Sequence, residues 1–156
     1  MNIPTPTPPD TILWLLQDIG PQSPDIVSVV QDDTNAWAIT FQDESLVQLH
    51  WHENPGRLEL TAAVSELPPL APREVLEGLL MFNLLSPHNG GARMALSAPD
   101  RTLHLMRDLP SEGLHLNSLR DALRTLASMA EHWREALAAP SVQPTPYSPA
   151  LPTIHE

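Results

Sequence analysis

Three short stretches in which apolar and polar residues alternate constrain the fold of this chain most strongly. They cover residues 36–41, 46–52 and 57–65, and in each the large apolar side chains fall on one side of an extended strand. The connecting residues, 42–45 and 54–56, are few and of turn-forming types. The pattern therefore predicts an antiparallel meander with one apolar face.

Three helices and two more strands complete the predicted domain. A first helix follows Asp10, a suitable N-cap, and a second follows Pro72. A third has apolar residues at intervals of four and three from 119 to 137. Strands are predicted at 92–97 and 102–108, whereas residues 26–30, although β-branched, are not assigned. We expect an α+β fold: a twisted antiparallel sheet of about five strands with three helices, in the order α-β-β-β-α-β-β-α.

Proline marks both ends of the chain and bounds the domain. Residues 1–9 and 139–156 hold nine of the eighteen prolines, and proline removes backbone donors and stiffens the chain. We expect a proline-rich N-terminal segment at 1–9, a single domain at 10–138 and a disordered proline-rich tail at 139–156.

Composition excludes several classes of function. With 19 acidic against 8 basic residues, the net charge of −11 repels phosphate backbones, so we expect no nucleic-acid partner. The apolar runs are shorter than the ~20 residues of a membrane span, which predicts no membrane insertion. The N-terminus lacks a signal-peptide pattern, and there is no cysteine. We therefore expect a cytoplasmic protein without disulfides.

Two histidines on one strand raise the question of a metal site. His50 and His52 are two residues apart, so both side chains point to the same face and could bind one ion. A catalytic zinc usually takes three protein ligands, and the other histidines show no helical two-histidine spacing. Phosphate-binding loops and nucleophile elbows are also absent from the sequence. We expect no cofactor and no enzyme; a metal-dependent enzyme using His50 and His52 is the less favoured alternative.

The helices and one sheet face are more apolar than a single small subunit needs. Surplus apolar surface is typical of protein–protein interfaces. This pattern favours a binding protein, without naming its partner.

Five sequence phrases stand in order along the chain: LELTAAV at 58–64 with a following Leu-Pro, LLMFNL at 79–84, GGARMAL at 90–96, LHL at 103–105 with a following Leu-Pro, and AEHWR at 130–134. Together they resemble the class I type III secretion chaperones, the CesT-like or Tir chaperone family. The likeness covers about residues 10–138, while residues 23–35 fit the pattern poorly.

The resemblance implies a cytoplasmic homodimer without enzymatic activity. It would bind the N-terminal segment of a cognate secreted effector and keep it soluble and secretion-competent; a regulatory binding protein on the same fold is the alternative. The resemblance places the dimer interface at Val75, Leu79, Phe82, Leu84, Met94 and Leu96. It places effector contacts at Leu13, Trp14, Leu16, Trp37, Ile39, Phe41, Val47, Leu49 and Trp51.

Overall fold

The computed structural model of the chain describes residues 5–138, which form three α-helices, one turn of 3-10 helix and one sheet. The predicted tail at 139–156 lies outside the described residues, as do residues 1–4 of the predicted N-terminal segment. In chain order the elements are α1 (Asp10–Ile19), β1 (Ile26–Asp33), β2 (Ala36–Phe41), β3 (Leu46–His52), β4 (Arg57–Glu66), α2 (Arg73–Leu84), the 3-10 turn (Ser86–His88), β5 (Arg93–Leu96), β6 (Thr102–Pro110) and α3 (Leu116–Ala138).

All strand pairs in the sheet are antiparallel, and the strand order is β1-β2-β3-β4-β6-β5. The three strands of the predicted meander are β2, β3 and β4, and β1 pairs with the outer side of β2. β6 pairs with β4, and β5 then pairs with β6. The two edges of the sheet are therefore β1 and β5, five strand positions apart.

The predicted α+β class is confirmed, but the sheet has six strands rather than about five. The additional strand is β1, at residues left unassigned by the sequence pattern. Its register with β2 shifts between Ile26 and Ser28 and again between Gln31 and Asp33. Each such bulge inserts a residue that breaks the period of two. Because β1 is also an edge strand with few buried residues, its sequence lacks the alternation that identified the others.

The core lies between the helices and one face of the sheet, here called the inner face. Alternate residues of β2 and β3 are buried there, and α3 lies across β3, β4 and β6. Trp133 of α3 is completely buried and meets Phe82 of α2 edge-to-face, with ring centroids 5.4 Å apart. This geometry is a favourable one for aromatic pairs, and it joins the two helices over the sheet.

Arginines hold α3 against the rest of the fold. Arg124 donates two hydrogen bonds to the Asp25 carboxylate, at 2.6 and 2.7 Å, and this contact lowers the pKa of Asp25 below its usual value. Arg134 donates from Nη2 to the Ala63 carbonyl at 2.9 Å. The first half of the helix is thus bonded to the segment before β1, and its C-terminal part is bonded to β4.

A single side chain anchors α2 to the edge strand β5. Asn83 Oδ1 accepts the Met94 amide at 2.6 Å, and Asn83 Nδ2 donates to the Met94 carbonyl at 3.1 Å. The Asn83 side chain thus satisfies the backbone N–H and C=O of Met94, as a neighbouring strand would. It also fixes which face of α2 points away from the sheet.

Candidate protein-binding surfaces

Most of the residues predicted to contact an effector lie in the core of the subunit. Leu13 is half-buried and Trp14 of α1 is 60% exposed. The other seven are buried: Leu16, Trp37, Ile39, Phe41, Val47, Leu49 and Trp51. Leu16 is on the buried side of α1, and the other six lie on the inner face of β2 and β3. A partner cannot reach these side chains while the subunit stays closed.

The same end of the molecule nevertheless has exposed apolar side chains. Val27 and Val30 on β1 are 64% and 51% exposed, and Leu46, the first residue of β3, is 44% exposed. Together with Trp14, these residues are here called the β1 patch. Val27, Val30 and Leu46 were not predicted, because the two valines lie on the unassigned strand and Leu46 lies on the polar face of its own strand.

Two residues of the β1 patch, Val27 and Val30, lie on an open edge strand of the sheet. β1 pairs only with β2, so half of its backbone donors and acceptors face outward. Residues 28–31 keep a regular register between the two bulges. The C-terminus of α1 is close to β1, since a Cβ added to Gly20 would lie 3.3 Å from Val29 Cγ2. An extended peptide at this edge would therefore run alongside both the strand and α1.

The residues predicted for a dimer interface divide between core and surface. Leu79, Phe82 and Met94 are buried and Val75 is half-buried, whereas Leu84 is 79% and Leu96 is 44% exposed. Exposed leucines also occur one and two helical turns before Leu84. With it they form the α2 stripe, which consists of Leu76, Leu80 and Leu84.

The α2 stripe is a continuous apolar surface at the β5 end of the sheet. Its members are four residues apart, so they share one side of the helix. Leu80 is 70% exposed, and Leu96 lies on β5, the strand that α2 contacts. Leu76 and Leu80 were missed because the sequence could not show which of two adjacent apolar sides of α2 faces inward.

His50 and His52 lie on the outer face of the sheet, in contact with other side chains. Asn35 Nδ2 donates to His50 Nε2 at 2.9 Å, and the two imidazole rings are 4.5 Å apart. His52 Nε2 is 3.6 Å from Glu59 Oε1. Among residues 5–138 no group of three histidine, aspartate or glutamate side chains is placed to hold a metal ion.

An open sheet edge with exposed apolar side chains nearby can accept an extended peptide as an added strand. Residues 22–134 match the family model of the Tir chaperone protein (CesT) family. The chain belongs to this family. It is thus a type III secretion chaperone, and the resemblance seen in the sequence is confirmed.

Solved structures with the same fold confirm the architecture. A chain of the ExsC–ExsE complex superposes with a TM-score of 0.71 at 18% identity, covering 87% of this chain and 100% of that chain. A chain of the HopA1–SchA chaperone–effector complex gives 0.65 at 23% identity, covering 80% and 94%. A chain of the heterodimeric ExoU–SpcU complex, from the type III secretion system of Pseudomonas aeruginosa, gives 0.54 at 16% identity, covering 83% and 98%. No curated protein matches the chain.

The described helices do not suit a membrane span. Within residues 5–138, none is both long and apolar enough to cross a bilayer.

Proposed function

We propose that this chaperone binds the N-terminal segment of a cognate effector in extended form along the free edge of β1. The observation that carries the proposal is the combination of that open edge with exposed Val27 and Val30 on the same strand. Trp14 is exposed on α1, the helix whose C-terminal end lies beside β1. A client strand would pair its backbone with residues 28–31 and bury alternate side chains against these residues. Bound in this way, the client cannot collapse or aggregate through the same residues, and it stays secretion-competent.

We propose further that the chaperone is a homodimer formed through the α2 stripe and Leu96. These residues are at the β5 end of the sheet and the proposed client site is at the β1 end. Pairing through α2 therefore leaves both copies of the client site open. The related ExsC–ExsE and HopA1–SchA structures are complexes, and the second is described as chaperone–effector, which supports a protein client here.

The proposed role needs no cofactor and no catalysis. Client binding by strand pairing and apolar contact requires only a suitable surface. The net charge of −11 makes separate chaperone–client complexes repel one another, which opposes their aggregation. A cytoplasmic location follows from the role, because the client must be bound before export.

The direct test is binding of the N-terminal segment of a candidate effector, sought among secreted proteins encoded next to the gene of this chain. Val27→Asp and Val30→Asp place a charge in the proposed contact. Each should weaken binding by about 1.5 kcal/mol or more, which is at least about tenfold. Titration calorimetry with purified chaperone and client segment measures the change.

Leu70→Asp is the matched control. Leu70 is 93% exposed in the connection between β4 and α2, so the same added charge lies away from β1 and should leave the affinity unchanged. Wild-type affinity in both valine variants would contradict the proposed site, and failure of the wild type to bind any such segment would contradict the proposed function.

A further inference from the structure

One arginine of the fold has no acceptor among the described residues. The chain has eight arginines and no lysine. Within residues 5–138, Arg107 makes neither a hydrogen bond nor an ion pair, and its Nε atom is buried without a partner. The other seven each donate at least one hydrogen bond within the fold: Arg57, Arg73, Arg93, Arg101, Arg120, Arg124 and Arg134.

Arg107 occupies a position where its strand otherwise has apolar residues. It lies on the inner face of β6 between Leu105 and Leu109, which are both buried, and it pairs with Leu60 of β4. Its own side chain is half-buried. A guanidinium keeps its charge in proteins, and arginine is rarely withdrawn from water without a counter-ion. A leucine here would continue the core, so the arginine points to a role other than packing.

The turn between α2 and β5 covers one side of the Arg107 guanidinium. Gly90 has a φ of +68°, and a Cβ added to it would lie 3.3 Å from Cζ, 3.4 Å from Nη1 and 3.5 Å from Nη2 of Arg107. These nearly equal distances place Gly90 over the flat face of the guanidinium. The N–H donors of this group lie in its plane, so the turn covers the face and leaves the donors at the edge.

The same turn adds a second donor. Asn89 directly precedes Gly90, and its Nδ2 atom is also buried without a partner among residues 5–138. The carbonyl groups of Leu85, Ser86 and Asn89 accept backbone amides of the turn at 2.8–3.3 Å, so they are already engaged. A carboxylate presents two oxygens in one plane, which suits a guanidinium edge with a neighbouring amide donor.

We propose that Arg107 and Asn89 form a carboxylate-binding site, which an acidic side chain of the second subunit fills in the homodimer. The inference rests on the homodimer proposed above. Residues 85–92 connect α2 to β5, the elements that carry the α2 stripe and Leu96, so the site continues that surface. The client edge, β1, is at the other end of the sheet. Each copy of the chain brings 19 acidic residues, and two-fold symmetry forms the site twice.

Sedimentation equilibrium of Arg107→Met tests the site, because methionine keeps an aliphatic side chain and removes every donor. The dimer dissociation constant should rise about fivefold for each site and about twenty-fivefold for the two. Circular dichroism should show an unchanged fold, since Arg107 has no hydrogen-bond partner within residues 5–138. An unchanged constant would overturn the proposal.

Arg57→Met is the matched control. Arg57 is also half-buried, but it lies on the outer face at the start of β4, where it donates to the Pro55 carbonyl. The variant makes the same change in net charge and should leave the dimer constant within about twofold of the wild type. An equal rise in both variants would overturn the site, because general charge repulsion would then explain it.

A double-mutant cycle separates a carboxylate contact from a merely structural effect of Arg107. Four exposed acidic residues lie on α2, at the end of β4 or in the β5–β6 turn, and they are neutralised one at a time: Glu66→Gln, Glu74→Gln, Glu77→Gln and Asp100→Asn. One of these variants should weaken the dimer about as much as Arg107→Met, and combining it with Arg107→Met should add little further. No loss in any of the four, or losses that simply multiply, would overturn the carboxylate contact.

Client titration distinguishes the source of the carboxylate. Arg107→Met should bind the effector segment like the wild type. Weaker client binding with an unchanged dimer constant would overturn the second subunit as the source. A wild type that stays monomeric would overturn this site together with the dimer. A wild-type dimer that binds no effector segment would refute the proposed client binding, while the dimer constants still decide the site.

Discussion

Replacing Leu80 by aspartate should separate the proposed dimer into folded monomers. Leu80 is 70% exposed in the subunit, so most of its side chain is available for burial by a partner. Complete burial of a leucine contributes about 2 kcal/mol, so this residue would contribute about 1.5 kcal/mol from each copy and about 3 kcal/mol from both. The dimer dissociation constant should rise more than about a hundredfold, since the introduced carboxylate must also be desolvated.

Sedimentation equilibrium over a wide concentration range measures that constant. Circular dichroism should show an unchanged fold, because Leu80 is outside the core. The matched control is Val27→Asp, an equally exposed apolar residue on the opposite edge strand, which should leave the dimer intact. A Leu80→Asp dissociation constant within about twofold of the wild type, or a wild type that stays monomeric at high concentration, would refute the assignment of the α2 stripe.

Three further predictions concern stability and the histidines. Trp133→Ala should destabilise the fold by about 3–5 kcal/mol in urea denaturation, since a completely buried tryptophan leaves a cavity; a loss below about 1 kcal/mol would contradict the packing described here. Arg124 lowers the pKa of Asp25. The stability that this ion pair contributes is therefore present above the unfolded-state pKa of Asp25 and disappears as pH falls through its folded-state pKa. Asp25→Asn should therefore lower the melting temperature near neutral pH but not in strong acid, and an equal loss at both would exclude the ion pair as the cause. Finally, zinc or a chelator should not change the melting temperature, and His50→Gln with His52→Gln should bind client like the wild type; zinc-dependent stabilisation lost in the double variant would instead favour a metal site.

The part of the fold that sequence could predict is the part with a strict period. In β2 and β3 the burial alternates residue by residue as the apolar pattern predicts. The apolar intervals of α3 likewise correspond to its buried side, including Leu119, Leu126 and Trp133. In each case the local pattern and the tertiary packing agree, so no further information was needed.

The binding surfaces were less predictable because alternation identifies a face but not what covers it. Trp37 and Trp51 have the pattern of a binding face, yet helices of the same subunit bury them. Leu79 and Leu80 are neighbours of the same residue type, and one is core while the other is exposed. Which of the two faces inward depends on the bonds between Asn83 of α2 and Met94 of β5. These residues are eleven positions apart, so no local sequence pattern contains the contact.

Amide hydrogen exchange of the chaperone with and without its bound client segment tests the central claim most directly. If the client is held as an added strand, exchange should slow at residues 28–31 of β1 and at alternate amides of the client, while the amides of α2 change little. Tight client binding with no added protection on β1, or with protection confined to α2, would contradict this account.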